Sequence, residues 1–100
     1  MISHYKAAEV KPLIINIMQK LGHIITDDNI KIWSRDSMLA TDVVKGCNWV
    51  KSSGLEPVLV YTNKVPLKAH IGKAEGVKVF DIDDLSILAI QYDSDLVKYL

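Results

Sequence analysis

The run Val58-Leu59-Val60-Tyr61-Thr62 decides how this chain folds. β-Branched and aromatic residues dominate it, and nothing polar interrupts it before the threonine. A strand with one wet face alternates apolar and polar side chains, whereas an unbroken apolar run is covered on both faces. The run is therefore a central strand of an α/β sheet, introduced by Glu56-Pro57 and left through Asn63-Lys64. Pro66 suits the first turn of a following helix that carries Leu67, His70, Ile71 and Ala74 and ends at Gly76. Residues 77–80 form a second β-rich run. A helical crossover separates the two runs, so they pair in parallel.

Upstream, Leu39, Val43, Cys47 and Val50 recur at helical spacing, with Gly54 placed to end that helix and Asp36, Ser37 or Thr41 available to cap its start. Residues 23–26 and 30–34 are β-rich, and Asp27-Asp28-Asn29 between them has turn chemistry, which predicts a hairpin. Before it, Val10, Ile14, Ile17, Met18 and Leu21 mark a helix widened by Leu13 and stopped by Gly22. Pro12 sits in its first turn if the helix starts near Lys11, or inside it if the helix starts near Ser3. At the other end, Asp83 or Asp84 caps a last helix through Leu85, Leu88 and Tyr92, and the tail from Asp93 forms a further short helix. The expected fold is one α/β domain over residues 1–100, in the order α-β-β-α-β-α-β-α. It is a three-layer or two-layer sandwich around a small mixed sheet made of the N-terminal hairpin and two parallel strands.

The bulk properties bound the function. The 100 residues are 49% hydrophobic and 24% charged, an ordinary globular composition, and the net charge is zero. The charge is unevenly placed. Through Lys78, eleven Lys/Arg face seven Asp/Glu, whereas from Val79 one Lys faces five Asp. A single cysteine, Cys47, permits no intrachain disulfide, which fits a reducing, cytoplasmic setting. No apolar run approaches the roughly 20 residues of a membrane span. The first residues, with His4, Lys6, Glu9 and Lys11 interspersed, do not read as a signal peptide.

The order of elements, together with Ile30-Lys31-Ile32-Trp33-Ser34-Arg35, resembles the restriction-endonuclease-like (PD-(D/E)xK) superfamily, particularly its small archaeal and Mrr-type members. In those domains a strand of the form apolar-Glu-apolar-Lys, often followed by Ser-Arg, precedes a helix and a very apolar strand ending in Thr-Asn. Here residues 58–63 stand as that strand, 68–76 as the short helix after it and 77–85 as the closing strand with its Asp-rich exit. The resemblance covers roughly residues 11 to 90. It implies two carboxylates holding a divalent metal and a lysine positioning the attacking water. At the matching positions this chain carries Lys31 where the acid belongs and Trp33 where the lysine belongs. A lysine cannot ligate magnesium and an indole cannot orient a hydroxide. The resemblance thus implies a catalytically inactive nuclease-like domain, without a cofactor, that acts as a binding or assembly module through self-association or a protein partner. If cleavage survives, displaced residues carry it with Mg2+: Asp27, Asp28 or Asp36 replaces the lost carboxylate, and Lys31 serves as the catalytic lysine.

Other constellations are weighed on their residues. Lys31, Arg35, Asn63, Lys64 and Lys68, with Lys73 nearby, could form a nucleic-acid or ligand-binding surface, although exposed lysines are more often simply solvated. The carboxyl ends of parallel strands are where α/β folds place ligands, so Asn63, Lys64 and Asp81 are the place to look for a small-ligand pocket. Asp81, Asp83 and Asp84 form the densest acid cluster, better explained by helix capping than by a metal. His4, His23 and His70 are scattered, and Cys47 lies on an apolar helix face as a small hydrophobe, so no zinc site is expected. Trp33 and Trp49 are the candidate interface anchors if they are exposed.

Overall fold

The two apolar runs pair in parallel, with Val58 opposite Lys78, Leu59 opposite Val79 and Val60 opposite Phe80. This is a computed structural model, and it describes residues 7–28 and 39–100. Within them the elements run α1 (Ala7–Lys20), α2 (Ala40–Ser52), β1 (Val58–Val60), α3 (Lys68–Glu75), β2 (Lys78–Phe80) and α4 (Ile82–Gln91), closed by a 3-10 helix at Asp95–Tyr99. The chain is a mixed α/β protein, and among the described residues its sheet has two strands.

β1 is covered on both faces, as its unbroken apolar run predicts. Val58 and Val60 enter a cluster built by Val10, Ile14, Ile17 and Met18 of α1, Leu85 and Ala89 of α4, and Leu96 of the 3-10 helix. Leu59 and Tyr61 enter a second cluster with Val43, Cys47 and Val50 of α2 and with Val65 and Val77. Successive side chains of a strand point to opposite faces, so one four-residue stretch anchors both clusters. Each fully buried Val or Leu contributes roughly 1.5–3 kcal/mol.

Close packing of the helices depends on two glycines. A Cβ on Gly46 of α2 would clash with Tyr61 Oη and lie 2.8 Å from Leu59 Cδ2. A Cβ on Gly72 of α3 would lie 2.6 Å from the Val77 carbonyl oxygen. Gly72 therefore sets the inner row of α3, which runs through Lys68, Ile71, Gly72 and Glu75. The expected row of Leu67, His70, Ile71 and Ala74 is corrected: only Ile71 of the four is even partly buried. Pro66 precedes α3, whose N-cap is Leu67 in the left-handed backbone region at φ 54°.

Local corrections fall mostly at element ends. α1 is the longer helix with Pro12 inside it. It closes through a Schellman motif, in which the Gly22 N–H donates to Gln19 O and the His23 N–H to Met18 O. That motif ties His23 to the helix end, and the Ile25 carbonyl accepts from the Gln19 amide. Residues 23–26 accordingly form no strand, so the predicted N-terminal hairpin is not seen. Its second arm, 30–34, lies outside the described residues. The N-cap of α2 is Leu39, which is exposed rather than part of the apolar face, and the Asp42 carboxylate accepts from its N–H. Thr41 is inside the helix, and Asp36 and Ser37 lie outside the described residues.

Replacing Gly46 by Ala should destabilise the fold by about 1–3 kcal/mol, measured by denaturant unfolding, because the new methyl overpacks against Tyr61 and Leu59. Tyr61→Phe removes the nearest clashing atom. The double variant should therefore lose less stability than the two single losses added together.

Candidate functional site at the carboxyl edge of the sheet

Both parallel strands deliver polar residues to one edge. β1 leads into Thr62 and Asn63, both almost fully buried, and β2 leads into Asp81, which is 1% exposed. The Tyr61 N–H donates to the Phe80 carbonyl and the Ile82 N–H to the Asn63 carbonyl, so pairing continues past the strand ends. The edge is knitted shut by backbone bonds.

Asp81 is the hub. As N-cap of α4 it accepts at Oδ1 from the N–H groups of Asp83 at 3.0 Å and Asp84 at 3.3 Å. Its Oδ2 accepts from the Val65 N–H at 3.1 Å. Asp84 reciprocates, its Oδ2 accepting from the Asp81 N–H at 3.0 Å, which completes a capping box. Lys68 of α3 lies between the two acids, with Nζ 2.7 Å from Asp81 Oδ1 and 2.6 Å from Asp84 Oδ2. Burial opposes ionisation of Asp81, but Lys68 and the Val65 and Asp84 N–H groups outweigh it and hold the carboxyl below its ordinary value. Burial likewise opposes the Lys68 charge. Its bonds to Asp81 and Asp84 prevail and raise its pKa.

The expected capping roles are thus corrected. Asp81 caps α4, Asp84 closes the box, and Asp83 is exposed with its carboxylate 3.8 Å from the solvated Lys64 ammonium. An ion pair so exposed contributes little. Among the described residues no group of three or more His, Cys, Asp and Glu side chains is placed to hold a metal ion. Cys47 is fully buried, and burial, with Glu75 adding to it, pushes its thiol pKa up, away from nucleophilic use.

A groove of about 570 Å³ lies elsewhere, around β2. Lys68, Ala69, Gly72 and Lys73 of α3 form one wall, and Glu56, Pro57, Val58 and His23 contribute to the other. Val77, Lys78, Val79 and Phe80 form its floor. The His23 ring meets Phe80 edge to face at 6.0 Å, and His23 Nδ1 is 3.6 Å from Glu56 Oε1. Of the predicted binding residues among those described, only Lys68 and Lys73 line this groove. Asn63, Lys64 and Asp81 do not. Sequence reasoning passed over Lys78 and His23; the one available signal was the exposed-lysine parity of the second strand.

The remaining predicted residues are dispersed. Asp28 is exposed in the turn after α1, its N–H 3.4 Å from Thr26 Oγ1, and Asp27 is exposed beside it. Trp49 is half-buried and packs against the second apolar cluster. Lys31, Trp33, Arg35 and Asp36 lie outside the described residues. No helix among the described residues is long and apolar enough to cross a membrane. Comparison with protein-family models, curated proteins and solved structures gave no match in any of the three.

Asp81→Ala should cost about 1.5–3 kcal/mol, because it removes a helix cap and leaves the buried Val65 N–H unbonded. The pH dependence follows from the lowered pKa. Between the folded pKa and the ordinary value of 3.8 the unfolded chain binds more protons, so stability is lost as the pH falls through that window. Urea unfolding from neutral to acid pH should show this loss in the native chain and a shallower one in Asp81→Ala.

Proposed function

We propose that this chain is a catalytically inactive nuclease-like domain that works as a binding or assembly module. The observation that supports it best is the state of the acids at the carboxyl edge. Both oxygens of Asp81 are engaged by backbone N–H groups and Lys68, and the Asp84 oxygen nearest to it is shared between Lys68 and the Asp81 N–H. Carboxylates committed in this way cap a helix and join α3 to α4. Magnesium would have to displace a lysine and break a capping box to reach them. The substitution of Lys31 and Trp33 for the acid and lysine of the superfamily motif points the same way.

The finer architecture belongs to the same proposal: a layered sandwich of restriction-endonuclease-like order. A metal-dependent nuclease built on Asp28, Lys31 and Asp36 is the competing enzyme, and Asp28 supports it weakly, as an exposed turn residue. A small-ligand module at Asn63 and Asp81 has less support, because both side chains are buried in the protein.

Incubation with supercoiled plasmid and Mg2+ or Mn2+ should leave the plasmid intact. Nicking that Lys31→Ala abolishes would overturn the proposal in favour of the nuclease. Self-association has its own surface. Ile87 and Ile90 of α4 are 65% and 69% exposed and lie one turn apart. If two copies meet there, sedimentation velocity should show a dimer that Ile87→Asp converts to monomer; a monomeric native chain leaves association to a different protein.

A further inference from the structure

We infer that the outer edge of β2 receives an extended acidic peptide segment of a protein partner, added to the sheet as a further strand. This rests on the reading of the chain as a binding module and names the class of partner. The hydrogen-bond parity of β2 is the starting point. The Lys78 N–H donates to the Pro57 carbonyl and the Phe80 carbonyl accepts from the Tyr61 N–H, so Lys78 and Phe80 turn their backbone groups toward β1. In a parallel ladder the residue between them turns both groups the other way. The N–H and C=O of Val79 therefore point away from β1, and no strand among the described residues pairs with that edge. Two residues earlier the edge is already occupied, because the Val77 N–H donates to the Gly72 carbonyl of α3. Two residues later the Asp81 N–H donates to Asp84 Oδ2 and the Asp81 carbonyl accepts from the Leu85 N–H, so the open position is Val79, with one donor and one acceptor.

The groove surrounds this position. It is lined from both faces of the sheet: Gly72 and Lys73 of α3 on the face that Val79 meets, and Phe80 and His23 on the opposite face. Side chains of an added strand alternate between those faces. Each face of the sheet offers apolar surface and a lysine, Lys73 beside Val79 on one and Lys78 beside Phe80 on the other. Both lysines are exposed and make no ion pair with an acid among the described residues; the acid that lines the groove, Glu56, lies 3.6 Å from His23 Nδ1. Lys68, by contrast, is already neutralised by Asp81 and Asp84. Main-chain hydrogen bonds give such a site its affinity, and charge complementarity selects its sequence. A nucleic acid could meet the two lysines but could not pair with the Val79 N–H and C=O as a peptide backbone does.

The test uses the full chain and a fluorescein-labelled peptide that alternates glutamate with valine. Fluorescence anisotropy should show saturable binding. Methylating the peptide's backbone nitrogens, or replacing Lys73 and Lys78 together by glutamate, should weaken it by on the order of tenfold or more. Both lysines are exposed, and circular dichroism of the variant confirms that its fold is retained. The Val79 amide should become protected from hydrogen exchange when the peptide is added. Absent binding, binding indifferent to N-methylation, or an unprotected Val79 amide overturns the inference. So does displacement of the peptide by an unrelated oligonucleotide at equal charge, which assigns the lysines to nucleic acid. Plasmid cleavage is measured on the same preparation. Intact plasmid without peptide binding defeats this inference alone, whereas Lys31-dependent cleavage defeats the binding-module reading beneath it.

Discussion

The rest of the structure depends on burying β1 on both faces while it pairs with β2 on one edge. A strand placed in this way needs apolar side chains at every position and needs helices on each side, and Val58 to Tyr61 meet the first need without interruption. The second need makes demands on the helices. α2 can lie against Leu59 and Tyr61 only because Gly46 has no side chain, and α3 can close over β2 only because Gly72 has none. The Tyr61 hydroxyl, held over Gly46 and donating to the Asp42 carbonyl at 3.4 Å, fills the space that a larger residue would have contested. Burial, with Cys47 and Asp42 close by, pushes that phenol above its ordinary pKa, so it stays a neutral donor.

Parallel pairing also decides where charge is spent. Both strands end at the same edge, so the loop after β1 and the start of α4 converge, and their free N–H groups must be satisfied there. Asp81 satisfies three of them, and the lysine of α3 balances the charge this buries. The densest acid cluster of the sequence is thus used to join three segments. Among the described residues no strand pairs with the outer edge of β2, and the groove there is lined by Lys73 and Lys78 together with Glu56.

Periodicity identified the helices and both strands because their apolar spacing reports burial directly. It misjudged positions where burial was achieved by leaving a side chain out. Gly46 and Gly72 carry no hydropathy signal, so the inner faces of α2 and α3 were drawn through Leu39 and Leu67, which are exposed. Residues 23–26 have strand composition, yet the Schellman motif at Gly22 engages the His23 N–H at the helix end, and the four residues form no strand. Among the candidate site residues, the Asp81, Asp83 and Asp84 cluster was legible as capping chemistry, but which of the three caps α4 depended on where β2 stopped.

The sequence by itself determined a parallel α/β core around residues 58–62 and the capping character of the acids before α4. These are properties of residue type and local spacing. Only the tertiary structure decided that Lys68 reaches from α3 to both Asp81 and Asp84, that the groove follows β2 rather than the carboxyl edge, and that Val79 turns its backbone outward. Each of these depends on which segments, 13 or more residues apart for the lysine and Asp81, the folded chain brings together. Local spacing carries no record of such distances.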